Sequence, residues 1–356
     1  GNETANTAIG AYAMGSINHD DSDANTAIGY EALKGSSISI NSNVAVGYQA
    51  MSGGSNSDGS IAIGREAMKG ALTSATHGTV GIGRSALASL TSGAGNTAIG
   101  YQSGDALTTG SQNTLLGEQA GGALDDDDNN TFIGFNSGLQ NTGTQNVALG
   151  NHTMKNASGA GGYNCAIGSS ALYALTNGNN NVAVGRQSLY SLDSASNSVA
   201  IGYQAGYSSD SNGSNVFIGA LAGYEADSAT TSAINNVYIG EAAGRYLDDG
   251  ANNVAIGYGA MTSNSDGAAN AVNSAIAIGR NAMAGSVSNE GTIVIGYYAG
   301  DDASSDVDNA VIIGREAARG AMTSGADGMV AIGYQAGARH TSGAGCVYVG
   351  NAAGDH

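Results

Sequence analysis

A short motif that ends in an aliphatic residue followed by glycine recurs along the whole chain, and it restricts the fold more than any other feature. If the glycine is called position 0, the motif occurs 20 times in 356 residues, most often 17 residues apart. A short fixed period of this kind is typical of solenoids, in which each copy forms one coil and stacks on the next. The glycines are Gly10, Gly29, Gly47, Gly64, Gly83, Gly100, Gly117, Gly134, Gly150, Gly168, Gly185, Gly202, Gly219, Gly240, Gly257, Gly279, Gly296, Gly314, Gly333 and Gly350.

The three residues before each glycine predict a short β-strand. Position −1 is always Ile, Val or Leu, and position −3 is Val, Ile, Thr or, once, Cys165. These mostly β-branched residues favour strands, whereas the 58 glycines and the short period oppose helices. We therefore expect an all-β, parallel β-solenoid of about 20 coils of 17–18 residues, continuous over residues 1–356. Because neither end of the array shows an atypical capping copy, we also expect an excerpt of a longer fibre protein.

Strand alternation assigns the flanking and middle positions of the motif to opposite faces. We expect the Val and Ile residues at −3 and −1 to point into the coil and position −2 to point outward. Position −2 is Ala in twelve copies and is never charged. An outward apolar position favours burial against another copy of the chain, although alanine could also be tolerated on a bare face. The predicted trimer interface contains Ala8, Ala45, Leu115, Phe132, Phe217, Tyr238, Ile312 and Tyr348.

Two further positions predict how the coil is filled and closed. Position +4 is Met or Leu in about half of the copies and mostly Gly in the others, where Leu107, Leu124 and Tyr207 are expected to refill the core. The glycine at that corner is expected to allow a positive φ angle. Asparagine is frequent at position −4, as in Asn25, and predicts either a turn cap or a ladder of stacked amides.

Charge excludes several classes of partner. The net charge is −18, which opposes binding to nucleic acid or to an anionic membrane. No nucleophile motif, cofactor loop or metal-ligand spacing stands out from the repeat, so we expect a protein that is not an enzyme. The dense acidic turn Asp125, Asp126, Asp127 and Asp128 offers oxygen ligands for Ca²⁺, with a solvated loop as the alternative interpretation.

Position +1 carries a column of Tyr and Arg that is the best candidate binding surface. Five of the eight Arg residues lie there, and they could stack on cell-surface glycans together with the tyrosines. The alternative is a structural ladder that covers the core and forms salt bridges. The column contains Tyr30, Tyr48, Arg65, Arg84, Tyr101, Arg186, Tyr203, Tyr258, Arg280, Tyr297, Arg315 and Tyr334.

Several copies of the motif resemble a known repeat. The segments NSVAIGYQAG (Asn197–Gly206), NTAIGYQSG (Asn96–Gly104) and MVAIGYQAG (Met329–Gly337) are similar to head repeats of YadA-like trimeric autotransporter adhesins and to repeats of bacteriophage tail fibres. The resemblance covers essentially the whole chain, although the spacing here is longer than in the usual adhesin head. It implies a left-handed β-roll, three chains packed side by side, and position −2 near the trimer interface.

The repeat and the resemblance together predict a structural or adhesive role. We expect a segment of a phage tail fibre or virion appendage that attaches to a glycan or protein receptor on the host surface. The alternatives are the head of a bacterial adhesin and an extracellular filament subunit. All three roles predict a location on a virion, on a cell surface or outside the cell, and no role requires a cofactor.

Overall fold

The computed structural model describes residues 5–16, 22–35, 40–53, 57–72, 76–159, 161–209, 213–225, 233–247, 250–263, 271–285, 288–301, 307–320 and 326–354. The chain divides into two compact units, Gly1–Asn177 and Gly178–His356, and each is described by itself. The continuity of one solenoid over residues 1–356 stays a prediction.

The described residues form short strands joined by turns and contain no helix, so no described helix could cross a membrane. Every strand is three residues long. The first unit contains β1(Thr7–Ile9), β2(Thr26–Ile28), β3(Val44–Val46), β4(Ile61–Ile63), β5(Val80–Ile82), β6(Thr97–Ile99), β7(Thr114–Leu116), β8(Thr131–Ile133), β9(Val147–Leu149) and β10(Cys165–Ile167). The second contains β11(Val182–Val184), β12(Val199–Ile201), β13(Val216–Ile218), β14(Val237–Ile239), β15(Val254–Ile256), β16(Ala271–Asn273), β17(Ile276–Ile278), β18(Ser288–Glu290), β19(Ile293–Ile295), β20(Val311–Ile313), β21(Val330–Ile332) and β22(Val347–Val349).

Within each unit the motif strands pair in parallel, each with the strand of the next copy. The register joins equal positions of the repeat, as in Ala27 with Ala45 and Ala183 with Ala200. Only β16 and β18 depart from this order, since they pair with each other beside the main ladder of the second unit. The predicted all-β, parallel β-solenoid is therefore confirmed, and each position of the motif becomes a column along the stack.

The prediction of which strand face points inward is wrong. Position −2 is the buried one, while positions −3 and −1 are partly or largely exposed in every motif strand. Six residues of the predicted interface lie inside the coil at 0–1% exposure: Ala45, Leu115, Phe132, Phe217, Tyr238 and Ile312. Ala8 is exposed in β1 and Tyr348 half-buried in β22, the first and last described strands. Alternation separates the two faces but does not say which is inside, and this narrow coil accepts the smaller column.

Side chains at −2 and +4 fill the interior by compensating for each other's size. Ala45 at −2 accompanies the buried Met51 at +4, whereas Phe132 at −2 accompanies Gly138. A Cβ atom added to Gly138 would lie 2.4 Å from the ring of Phe132, and one added to Gly244 would lie 2.3 Å from the ring of Tyr238. Such contacts leave no room for any side chain, because protein interiors are already close-packed.

Glycine at +4 therefore provides space and is not needed for the backbone conformation. Position +4 has a positive φ whether it is Gly or not: 51° at Leu33 and 52° at Met51, against 62° at Gly138. The expected refilling of the core is confirmed for Leu107 and Leu124, which are fully buried. It is wrong for Tyr207, which is half-buried at the surface.

The glycine at position 0 is required by both conformation and stacking. At Gly117 φ is +138°, a conformation that residues with a side chain rarely adopt. A Cβ atom there would lie 2.4 Å from the carbonyl oxygen of Gly134 in the next coil. The same clash recurs along the column, so coils approach this closely only because position 0 is glycine.

Asparagine at −4 forms a buried ladder, and it also caps the turns, so both predicted roles are confirmed. Asn113 donates from its Nδ2 to Asn96 Oδ1 at 3.1 Å and to the carbonyl oxygen of Asp127 in a turn at 2.8 Å. Its own Oδ1 accepts the backbone N–H of Asn130 at 2.9 Å. One side chain thus satisfies polar groups in the coils before and after it, where no water reaches them.

We expect Asn113→Ala to destabilise the first unit by about 3 kcal/mol, because several buried polar groups lose their partners at about 1–3 kcal/mol each. Asn113→Ser is the matched control, since Ser60 and Ser198 occupy the same column naturally. Thermal and urea unfolding followed by circular dichroism would measure both variants. An alanine variant as stable as the serine variant would contradict a role for the ladder in stability.

Candidate functional site

The structure assembles the predicted Tyr and Arg column at position +1 in both units. The side chains stack on one another between successive coils. Tyr30 and Tyr48 have ring centroids 5.4 Å apart and nearly parallel planes. The guanidinium of Arg65 lies 5.7 Å from the ring centroid of Tyr48, and that of Arg84 lies 5.6 Å from Tyr101. These distances fit cation–π contacts.

The same arrangement continues in the second unit. Arg186 lies over Tyr203 at 5.8 Å, Arg280 lies 5.3 Å from Tyr258 and 6.0 Å from Tyr297, and Arg315 lies 5.7 Å from both Tyr297 and Tyr334. All twelve predicted residues therefore contact a neighbour in the column. Stacking covers many of the ring faces that a sugar would need, which favours the structural interpretation for most of the column.

Acidic and amide side chains at position +2 lie beside the column. Glu316 Oε1 lies 3.3 Å from Arg315 Nη2 on one side and 3.7 Å from Arg319 Nη1 on the other. Its Oε2 accepts a hydrogen bond from Gln335 Nε2 at 2.8 Å. The Gln335 hydrogen bond and the contacts with Arg315 and Arg319 lower the pKa of Glu316. The +2 column thus lies between two columns of cations.

The second cation column lies at positions +5 and +6 and is not among the sites predicted from the sequence. Lys34 Nζ forms a 2.5 Å ion pair with Glu31, which lowers the pKa of Glu31 and raises that of Lys34. In the second unit, Tyr190, Tyr207 and Tyr224 form a stack with centroids 5.0 and 5.2 Å apart. Arg245 continues the stack, 5.5 Å from the ring of Tyr224.

The two columns contain every cationic side chain of the chain. The eleven Lys and Arg residues comprise the five arginines at +1 and six residues at +5 or +6, namely Lys34, Lys69, Lys155, Arg245, Arg319 and Arg339. Ten of the 29 acidic residues share positions +1 to +6, so the other 19 lie elsewhere in the repeat without any Lys or Arg. A position-by-position count of charge would have found this separation in the sequence.

The acidic turn at Asp125–Asp128 does not assemble into a calcium site. Asp125 accepts a hydrogen bond from the Thr108 hydroxyl, and Asp128 Oδ1 accepts the backbone N–H of Ser111 at 2.5 Å. Asp127 is turned inward and accepts only a long bond, 3.4 Å, from the backbone N–H of Asp125. Within the described ranges, no three His, Cys, Asp or Glu side chains are grouped to hold a metal ion. The carboxylates of Asp125 and Asp128 join this turn to the preceding coil.

We expect Asp127→Asn to stabilise the first unit at pH 7. Burial raises the pKa of Asp127, helped by the neighbouring aspartates, so its charged form is disfavoured in the folded state. This penalty applies at pH values above the raised pKa and disappears as the folded protein becomes protonated. Thermal melts from pH 7 to pH 3 should therefore show a higher midpoint for the variant that converges on the wild type in acid. A calcium-dependent rise in the wild-type midpoint, absent from the variant, would contradict this account of the turn.

No protein-family model matches the chain, and no curated protein matches it. The functional argument therefore depends on the columns that the fold creates. Those columns comprise the partly exposed positions −3, which is Val, Ile, Thr or Cys165, and −1, which is Ile, Val or Leu, together with two cation–tyrosine columns at +1 and +5/+6.

Proposed function

We propose that residues 1–356 are a segment of a non-enzymatic attachment fibre, most consistent with a bacteriophage tail fibre or a related virion appendage. The observation that carries the proposal is the column architecture. Because each coil satisfies its neighbours through the same positions, the array can be lengthened or shortened by whole copies without a new kind of contact. Such a design suits a protein whose task is to extend and to present a repeated surface outside the cell or on the virion.

The proposal includes a homotrimer of left-handed β-rolls, joined through the aliphatic face at −3 and −1. Single apolar residues at a surface are ordinary, but here they form continuous columns. Ile63 and Ile99 are 38% and 41% exposed in the first unit, and Ile201 and Ile332 are 40% and 37% exposed in the second. A strand that is apolar on both faces is usually buried on both, and two further copies would bury this face. The interface is thereby reassigned from position −2 to its neighbours.

Attachment to a surface receptor by such a fibre requires no deep pocket. A repeated surface that offers weak contacts at many copies gains avidity when several contacts form together. We assign this role to those parts of the two cation–tyrosine columns whose ring faces and guanidinium groups are left uncovered by stacking. The remaining surface is strongly acidic, which keeps an array with such an aliphatic face in solution.

We expect the purified chain to have three times its 34.9 kDa mass in light scattering. Ile201→Glu should shift the mass toward the monomer, because it places a charge in the proposed interface. Ser194→Glu, at an exposed turn position of the same coil, is the control and should leave the mass unchanged. A monomeric wild type would overturn the trimer.

Immunogold labelling with an antibody against the chain would test its biological placement. We expect label on the tail fibres of virus particles and inhibition of adsorption to host cells by the antibody. Label on the bacterial envelope would instead identify an adhesin head. Label on free filaments without inhibition would identify a filament subunit and contradict attachment.

A further inference from the structure

A groove lies between the two cation–tyrosine columns in the second unit. It has a volume of about 320 Å³ and opens where small residues occupy positions +2 and +5. Ala242 and Gly259 occupy position +2, while Thr262 and Ala284 occupy position +5. Larger side chains fill these positions in many other coils, so the groove results from four small residues that meet in neighbouring coils.

Gly259 is the single glycine among the twenty copies of position +2, where six copies carry Gln. Its φ of 59° matches the 52–56° of those six glutamines, so the backbone does not require glycine here. A Cβ atom added to Gly259 would lie 2.6 Å from Asn281 Oδ1, the end of a side chain that lines the groove. The absence of a side chain therefore creates space and leaves an amide at its edge.

Arg245 forms one wall of the groove, and its position is fixed by aromatic rings. Its guanidinium lies 4.4 Å from the ring centroid of Tyr246 and 5.5 Å from that of Tyr224. Its Nε atom is buried and has no hydrogen-bond partner. No ion pair of Arg245 occurs among the described residues, so the guanidinium retains an unsatisfied donor and an unpaired charge.

A similar hollow four coils further along shows how Arg245 differs from its equivalent, Arg319. That hollow, about 330 Å³, contains Arg319 and Glu316. Glu316 lies 3.7 Å from Arg319 and also contacts Arg315, so its cations already have an anionic partner. At Arg245 the corresponding partner is missing, and a ligand could supply it.

The opposite wall offers groups suited to a sugar ring. Tyr258 is 51% exposed, and Arg280 covers one face of its ring at 5.3 Å. The preceding coil has Glu241 at the same position, so the column itself places no ring against the other face. Asp301, which lies 4.0 Å from Arg319, can accept hydrogen bonds from hydroxyl groups at the edge of the groove. An aromatic face, an amide and a carboxylate are the groups that orient sugars in shallow sites.

We propose that this groove binds a carboxylate-bearing sugar unit of a surface polysaccharide. The sugar carboxylate would pair with Arg245, whose fork of donors matches a carboxylate in geometry and charge. The ring would lie against Tyr258 above Gly259, and its hydroxyl groups would contact Asn281 and Asp301. The inference rests on the proposed attachment function and specifies the chemistry of the receptor.

The test uses the full chain and a panel of short oligosaccharides that contain galacturonate, glucuronate or sialic acid. Each probe is paired with its carboxyl methyl ester, and binding is measured by isothermal titration calorimetry and ligand-observed NMR. We expect at least one acidic probe to bind about tenfold more tightly than its ester, because esterification removes the charge-assisted pair. Arg245→Gln and Gly259→Gln should each weaken that binding by about tenfold, the first by removing the charge and the second by filling the groove.

Two matched variants control for these changes. Ser194→Gln adds the same side chain at an exposed turn outside both columns, and Ser170→Gln adds it at position +2 of the first unit. Both should bind as the wild type does, and circular dichroism melts would show that all four variants fold. Equal binding of acid and ester, wild-type binding by both groove variants, or no binding by any acidic probe would overturn the site.

The two proposals fail separately. Label on viral tail fibres without saccharide binding would remove the site and leave the fibre assignment intact. Saccharide binding that depends on Arg245, with label on a bacterial envelope, would keep the site and remove the viral assignment.

Discussion

Buried polar groups that one coil cannot satisfy by itself are the constraint on which this structure depends. Each strand has only three residues, and its backbone bonds run to the strands of neighbouring coils. The buried asparagine side chains also depend on neighbouring coils for their hydrogen bonds. Asn113 bonds to Asn96, to Asn130 and to the turn at Asp127. A buried amide without partners costs about 1–3 kcal/mol, so a coil that shifts in register would lose several such bonds together. The stack is therefore specified column by column, and length variation is confined to the turns.

The glycine column at position 0 results from the short distance between hydrogen-bonded coils. Coils that share backbone hydrogen bonds bring position 0 of one coil against the carbonyl group of the next, and any side chain there would overlap with it, as at Gly117. This requirement explains why the motif is so regular in sequence, and why the solenoid and its strand positions could be predicted from spacing alone. The ladder at Asn25 could be predicted for a similar reason, because a polar residue that recurs at one column must repeat its environment.

The inward face could not be predicted from strand alternation, because alternation is symmetric between the two sides of a strand. The size relation between −2 and +4 carries the missing information, because it links residues that fill the same narrow interior. Phe132 with Gly138 and Ala45 with Met51 show that the two columns share one volume. Apparent exceptions follow the same rule between neighbouring coils: Ala200 accompanies Gly206 because Phe217 of the next coil occupies that space. Residues that compensate in size must touch, and that pattern was present in the sequence.

The candidate binding surface could be predicted from the repeat only in part. The +1 column was predictable as a row of residues, but its contacts were not, because stacking between coils depends on side-chain conformations that spacing does not specify. Stacking also occupies the groups that could bind a ligand. The guanidinium of Arg315, for example, already contacts the rings of Tyr297 and Tyr334. A repeated surface therefore becomes available for recognition mainly where the repeat is broken. Gly259 is such a break, since it removes a side chain the backbone would accept and leaves Arg245 beside the resulting space. The coils of the array are otherwise constrained to be alike. The absence of one surface side chain, as at Gly259, is therefore the least costly way to make one coil different from the rest.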